Sequence, residues 1–241
     1  MSLINILKEI VTYTTSAGLD LVKITGTSAT TSVAAIASDK TVVLQAKFRQ
    51  AIPEFIGTVG LPNLGKLSVI LNIPEYRENV QVSTTAQSSG ELATIEFNNQ
   101  FNDFTNTYRL MATAVVNSQI SSVTFKEPAW NLDFEPLNAN IQKFRYQTQA
   151  LSDSVQFQTF TKGGNLYFEM GEVSSHQGTF VFQGPVSGRL ADRLSFPVKQ
   201  VLAILSLTGD KRMKISDAGA MQITVLSGVA DYTYIIPVQA K

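Results

Sequence analysis

The sequence predicts an α+β protein made of two similar domains, and three observations carry that expectation. Most of the chain alternates apolar and polar residues as half-buried strands do. Only four short stretches carry a helical period instead, and those four fall into two pairs with matching spacing. In the first half the alternating runs cover residues 22–24, 42–48, 55–61, 80–82, 92–94 and 108–112. In the second half they cover 155–157, 166–168, 180–182, 213–215, 221–225 and 232–236. Turn residues separate them, notably Lys162-Gly163-Gly164-Asn165 and Gly209-Asp210. The helical stripes are Leu3, Leu7, Ile10 and Val11; Leu64, Leu67, Ile70 and Leu71; Ile141, Phe144, Thr148 and Leu151; and Val198, Val201, Leu202 and Leu205.

The pairing of the helices suggests a duplication. At an offset of 134 residues, the distance from Leu7 to Ile141, Ile10 falls on Phe144, and Leu67, Ile70 and Leu71 fall on Val201, Ile204 and Leu205. Identity between the halves is low, so the signal lies in order and spacing. Residues 117–138, with Pro128 and Pro136 and no sustained period, read as a long connector. The expected layout is therefore one domain over 1–116, a connector over 117–137 and a second domain over 138–241.

Composition excludes several functions. Lys and Arg together number 19, as do Asp and Glu, so the chain is neither a wholly basic nucleic-acid binder nor an acidic tail. There is no cysteine, hence no disulfide, thiolate nucleophile or thiolate metal site. A single histidine, His176, precludes a multi-histidine metal centre within one chain. No apolar run approaches the roughly 18 residues of a membrane span, and Lys8 and Glu9 interrupt the only apolar stripe at the N-terminus. The expectation is a soluble cytoplasmic protein without membrane contact.

Three segments carry a resemblance to a known family: 63–71 (Asn-Leu-Gly-Lys-Leu-Ser-Val-Ile-Leu), 213–217 (Met-Lys-Ile-Ser-Asp) and 231–237 (Asp-Tyr-Thr-Tyr-Ile-Ile-Pro). With two helices and many strands per half, the chain resembles the DNA sliding clamps, in particular the trimeric kind with two domains per chain, proliferating cell nuclear antigen and the T-even phage clamps. The resemblance implies helices lining a ring, sheets outside, and a non-catalytic processivity factor without cofactor or metal. It implies as partners encircled duplex DNA, held without reading sequence, a DNA polymerase, a clamp loader and further copies of the chain as a homotrimer. The lack of an acidic tail leans toward a phage source, which would mean a host-cell cytoplasm.

The same resemblance assigns roles to residues. Helix faces turned away from the sheets should be polar and non-acidic, which makes Lys8, Lys66, Lys143, Arg145 and Lys199, with Arg189 and Arg193 ahead of the last helix, the DNA-facing candidates. Ring closure needs two different edges to meet. The segment with Tyr108, Leu110, Val115 and Val116 would pair with a neighbour's Phe180, Val181 and Phe182; the alternative is that both are interior strands. Partner peptides would dock between the connector, at Phe125, Trp130 and Leu132, and the terminal segment, at Ile236, Pro237 and Val238. Trp130 serves equally well as a packing residue of its own domain.

Other motifs carry less. Gly60-Leu-Pro-Asn-Leu-Gly65-Lys66 matches the start of a P-loop, but Leu67 replaces the Mg²⁺-binding hydroxyl and Pro62 removes a backbone donor, so a strand-to-helix turn is the better reading. His176 sits in a turn-like run without a nucleophile elbow. Asp133 and Glu135 flank Phe134 without further metal ligands. Lys211, Arg212 and Lys214 cluster at a turn, solvated or adding to a positive field. The competing function is a β-rich viral structural or assembly protein, which low charge and a duplicated sheet would also suit; a hydrolase comes third.

Overall fold

The apolar stripe of the first thirteen-residue helix sets the pattern for the rest. Leu3, Leu7, Ile10 and Val11 recur at helical spacing and are buried, while Asn5 and Thr12 stay exposed, in helix α1 (Leu3–Thr15). The structure is a computed structural model that describes residues 2–121 and 126–239. The chain divides into two units, one over 1–124 with 229–231, the other over 125–228 with 232–241.

In the first unit, α1 is followed by strands β1 (Leu21–Gly26), β2 (Thr31–Ile36), β3 (Val43–Phe48) and β4 (Gly57–Pro62). Helix α2 (Leu64–Leu71) and strands β5 (Gln81–Ala86), β6 (Leu92–Asn98) and β7 (Thr105–Arg109) come next. The first four strands pair in the order β4-β1-β2-β3 and the last three as β5-β6-β7, all antiparallel. Helix α1 packs beside α2, whose Leu64, Leu67, Ile70 and Leu71 are buried. Asn63, in the left-handed region at φ 53°, turns the chain from β4 into α2, and the Asp20 carboxylate accepts the Gly65 amide at 3.2 Å.

A third helix, α3 (Thr113–Gln119), stands where the sequence suggests that the strand from Tyr108 continues through Val116. The reason is tertiary. Met111 exchanges both backbone hydrogen bonds with Gly60, and a Cβ at Gly60 would lie 2.9 Å from both Met111 Cβ and Val116 Cγ2. The bare glycine thus leaves room for fully buried Val116 to seat against β4, and the Thr113 hydroxyl donates to the Thr58 carbonyl at 2.6 Å. These contacts override the strand preference of two adjacent valines.

The second unit opens with β8 (Leu132–Phe134) and helix α4 (Asn138–Ala150). Strands β9 (Gln156–Lys162), β10 (Asn165–Gly171), β11 (Gln177–Gln183) and β12 (Leu194–Pro197) follow. Helix α5 (Val198–Leu205) precedes β13 (Asp210–Ser216), β14 (Ala220–Leu226) and β15 (Ala230–Pro237). The order in one sheet is β11-β10-β9-β12, and in the other β15-β14-β13-β8. From α4 onward the unit repeats the first: one helix, four strands, one helix, three strands, with β12-β9-β10-β11 matching β4-β1-β2-β3. The four expected helices are all present, and the fold class is α+β with antiparallel sheets.

Phe144 of α4 anchors the second core. Its ring lies 4.9 Å from that of Phe157 and 5.3 Å from that of Phe168, which stacks on Phe182 at 3.9 Å with 6° between planes. Alternation therefore turns Phe157, Phe168 and Phe182 toward α4, and Gln158 and Glu169 toward the opposite face.

Candidate nucleic-acid interface and docking surfaces

The faces that the helices leave uncovered are almost free of acid. Lys66 on α2, Lys143 on α4 and Lys199 on α5 are exposed, and Lys8 on α1 is half-buried. Arg145 donates to the Ser206 hydroxyl at 3.0 Å, tying α4 to the C-terminal end of α5. Glu9, half-buried on α1, is the one carboxylate within these four helices. Around the bases stand Asn5, Thr12, Gln142 and Gln149, together with two exposed larger side chains, Val69 and Tyr146. Such faces attract phosphates without a fixed hydrogen-bonding pattern for bases.

The other two expected DNA-facing residues lie elsewhere. Arg193 pairs with Glu169, approaches Gln158 at 3.3 Å and stacks 4.0 Å over the Phe160 ring. These partners occupy the sheet face opposite α4, so Arg193 is a strand-face residue. Its place just ahead of α5 in sequence gives no hint of this, because β12 intervenes. Arg189 is exposed beside the turn at Lys162, Gly163 and Gly164, also off the helices.

Both strands expected at a subunit interface are sheet edges within their units. Strand β7 pairs with β6 on one side, and β11 with β10. Tyr108 is buried; its hydroxyl donates to the Pro62 carbonyl, and burial, then the charge of Asp20, pushes its pKa up. Leu110 is half-buried, whereas Val115 and Val116 belong to α3, so they offer no strand edge. On β11, Phe182 is buried and Phe180 and Val181 are half-buried. Gly178 permits a close approach: a Cβ there would meet the Gln147 amide of α4 at 1.6 Å.

The connector is fastened to β13. Met213, Lys214 and Ile215 stand opposite Phe134, Asp133 and Leu132. Arg212 donates twice to the Asp133 carboxylate, at 2.7 Å each, and this hydrogen-bonded pairing holds Asp133 below the usual carboxylate range. Glu127 accepts the Trp130 indole N–H at 2.7 Å and lies 3.5 Å from Lys214, whose ammonium stands 5.6 Å over the Trp130 ring. Lys211 donates to the Gly209 carbonyl at 2.7 Å, and burial lowers its pKa. Each base of the cluster at 211–214 thus has a partner within its own unit, and Arg212 stays exposed.

The expected peptide-docking residues divide by burial. Leu132 and Ile236 are core residues, 1% and 0% exposed, and cannot contact a partner in this arrangement. Trp130 and Pro237 are half-buried and Val238 is exposed, so these remain reachable; Phe125 lies outside the described residues. His176 is exposed at the start of β11. The segment resembling a P-loop is the end of β4 and the turn into α2, as its proline and leucine suggest. Among the described residues, no group of three or more acidic or histidine side chains is placed to hold a metal ion, and no helix is long and apolar enough to cross a membrane.

No protein-family model matches the chain, and no curated protein matches it in sequence. Solved structures do. PCNA from A. fulgidus, in a complex with the C-terminal region of FEN-1, superposes with a TM-score of 0.73 at 10% identity, over 99% of this chain and 96% of that one. A PCNA2–PCNA3 complex from Sulfolobus tokodaii gives 0.72 at 10% identity, over 98% and 97%. The fold is that of PCNA. The resemblance read from the sequence therefore holds for the architecture, over nearly the whole chain. The identity of 10% explains why it rests on order and spacing, with no diagnostic motif.

Proposed function

We propose that the chain is one subunit of a DNA sliding clamp: a homotrimeric ring that encircles duplex DNA and tethers a DNA polymerase, with a clamp loader to open it. The observation that carries this reading is the repeated helix–four strands–helix–three strands order, whose helix faces carry five bases and one acid. Two clamp domains, about 1–116 and 138–241, joined by a connector, supply two of the ring's six segments.

The mechanism is confinement. A polymerase bound to a ring that cannot leave the duplex stays at high effective concentration near the primer end, and rebinds after each dissociation. Lys8, Lys66, Lys143, Arg145 and Lys199 give a weak, salt-sensitive hold on phosphates that leaves the ring free to slide. Trp130, Pro237 and Val238 form the reachable part of the partner-docking surface. The assembly-protein alternative has no observation of its own in its favour.

Light scattering after size exclusion, at two concentrations, tests the ring. A mass of three chains is expected, followed by retention on closed circular DNA and loss when the circle is linearised. A mass of one chain at every concentration would remove the mechanism.

A further inference from the structure

We infer that the free edge of β5 accepts an extended peptide of a partner protein, added antiparallel, with an apolar–basic–apolar core. The matching edge of the second unit already holds a strand, β8, and this one does not. The inference stands apart from the ring reading.

The three closing strands of the units correspond, β5-β6-β7 to β13-β14-β15. Strand β13 lies between β14 and β8, whereas β5 has β6 on one side and no described strand on the other. Its outward backbone groups follow from the bonds that β6 makes to β7. The Asn99 amide donates to the Phe104 carbonyl and the Leu110 amide to the Ala93 carbonyl, so odd-numbered residues over 93–99 bond toward β7. Bonding direction alternates along an antiparallel strand, so Thr94, Glu96 and Asn98 bond toward Thr85, Ser83 and Gln81. The amides and carbonyls of Val82 and Thr84 therefore point off the sheet. Strand β5 contains no charged residue and no proline, the usual guards of an open edge.

The side chains agree. Phe97 and Ile95 are fully buried, but Val82 and Thr84 opposite them are only half-buried. In the second unit Met213 and Ile215 are fully buried, with Phe134 and Leu132 of β8 beside them. A strand added to β5 with apolar residues opposite Val82 and Thr84 would complete their burial in the same way.

The residue between those two apolar positions stands beside Ser83, with Glu96 beyond it. Strand β8 places Asp133 at the equivalent point, where it meets Arg212. On β5 the sign is reversed, since Glu96 is half-buried and makes no ion pair with any described residue. It lies two strand spacings, about 10 Å, from the added strand, and a lysine or arginine there reaches it across the short Ser83. Main-chain bonds would supply the affinity and the alternate side chains the selectivity.

Two end-blocked hexapeptides test this against the full chain: Ala-Trp-Asn-Leu-Asp-Phe, the sequence of residues 129–134, and the same peptide with Asp133→Lys. Binding is followed by the amide resonances of the protein. The lysine peptide should shift Val82 and Thr84, and bind about fivefold more tightly than the aspartate peptide in 0.1 M salt. Thr84→Pro, a change that an edge strand tolerates, should weaken it about tenfold and leave the thermal melt in place. Glu96→Lys, which leaves the edge intact, should reverse the preference between the peptides. Shifts confined to 213–215 would mean that the peptides displace β8, and would overturn the assignment. So would the absence of any shift at about millimolar peptide. An unchanged preference in Glu96→Lys would overturn the basic position. A wild-type mass that falls in Thr84→Pro would make the occupant a second copy and not a partner peptide.

Discussion

The two units reach one architecture with different side chains. Beneath α1 and α2 the first unit buries mainly aliphatic residues, among them Leu7, Ile10, Val22, Ile24, Leu44, Leu61 and Leu67, all fully inaccessible. Beneath α4 the second gathers Phe144, Phe157, Phe168, Phe182 and Phe196. Topology and pattern are kept while the packing is solved separately, as expected when volume and patterning rather than identity specify a fold. That is why the halves align by spacing at so little identity.

The comparison is broken most forcefully at Phe168, whose ring contacts four other phenylalanines. Phe168→Ala should cost about 3–5 kcal/mol, the range for truncating a fully buried phenylalanine. In urea unfolding followed by a probe in each unit, the second unit should melt first in this variant. Ile24→Val in the first unit should cost only about 0.5–1.5 kcal/mol. Equal effects would mean that the aromatic cluster is no more tightly packed than its aliphatic counterpart.

Two glycines of the first unit sharpen the point. Gly60→Ala should destabilise by about 1–3 kcal/mol, since the new Cβ collides with Met111 and Val116 in the seat of α3. Gly65→Ala, inside α2 with open space around it, should stabilise by about 0.5–1 kcal/mol. Thermal melts of both variants should move in opposite directions.

The helix faces differ as well. Helix α4 presents Lys143 and Arg145 with no acid, whereas α1 offers Lys8 beside Glu9. On the proposed function, Lys143→Ala should lower the slope of log affinity for duplex DNA against log salt by about one. Lys8→Ala should lower it less, because Glu9 already offsets that charge. Identical slopes for both variants would argue against the second unit's carrying most of the phosphate contact.

How much of this was legible in the sequence follows from contrast. The four helices stood out because buried Leu, Ile, Val and Phe recur at spacings of three and four against polar neighbours. Strands β2 and β12 lack the alternating signal: Thr-Ser-Val-Ala-Ala-Ile is too low in apolar contrast, and Leu-Ser-Phe-Pro is buried on both sides and ends in proline. The segment of helix α3 resembles a strand in sequence because its two valines favour extended backbone and the seat at Gly60 lies far away in the chain. Among the residues that the resemblance assigns to DNA, the helical period accounts for the exposure of Lys66, Lys143 and Lys199, and not for their role. Arg193, Leu132 and Ile236 could not be placed, since their positions depend on which face of a sheet a residue meets.

The smallest effect separates a strand held by charge from one held by packing. Strand β8 is tied on one side by Asp133 to Arg212 and buried on the other by Leu132. The pairing lowers the folded-state pKa of Asp133, so its stabilisation is present above the unfolded carboxylate value, about 4, and is lost as pH falls through the folded one. Because the pair is largely exposed, solvent screening keeps its contribution to stability small at neutral pH. Asp133→Asn should therefore lower stability slightly at pH 7, and the two proteins should converge once the pH falls below the lowered folded-state pKa of Asp133. A gap that persists at low pH would mean that the asparagine disturbs the packing of β8 itself. In that case Leu132, and not the ion pair, would be what holds the connector against β13.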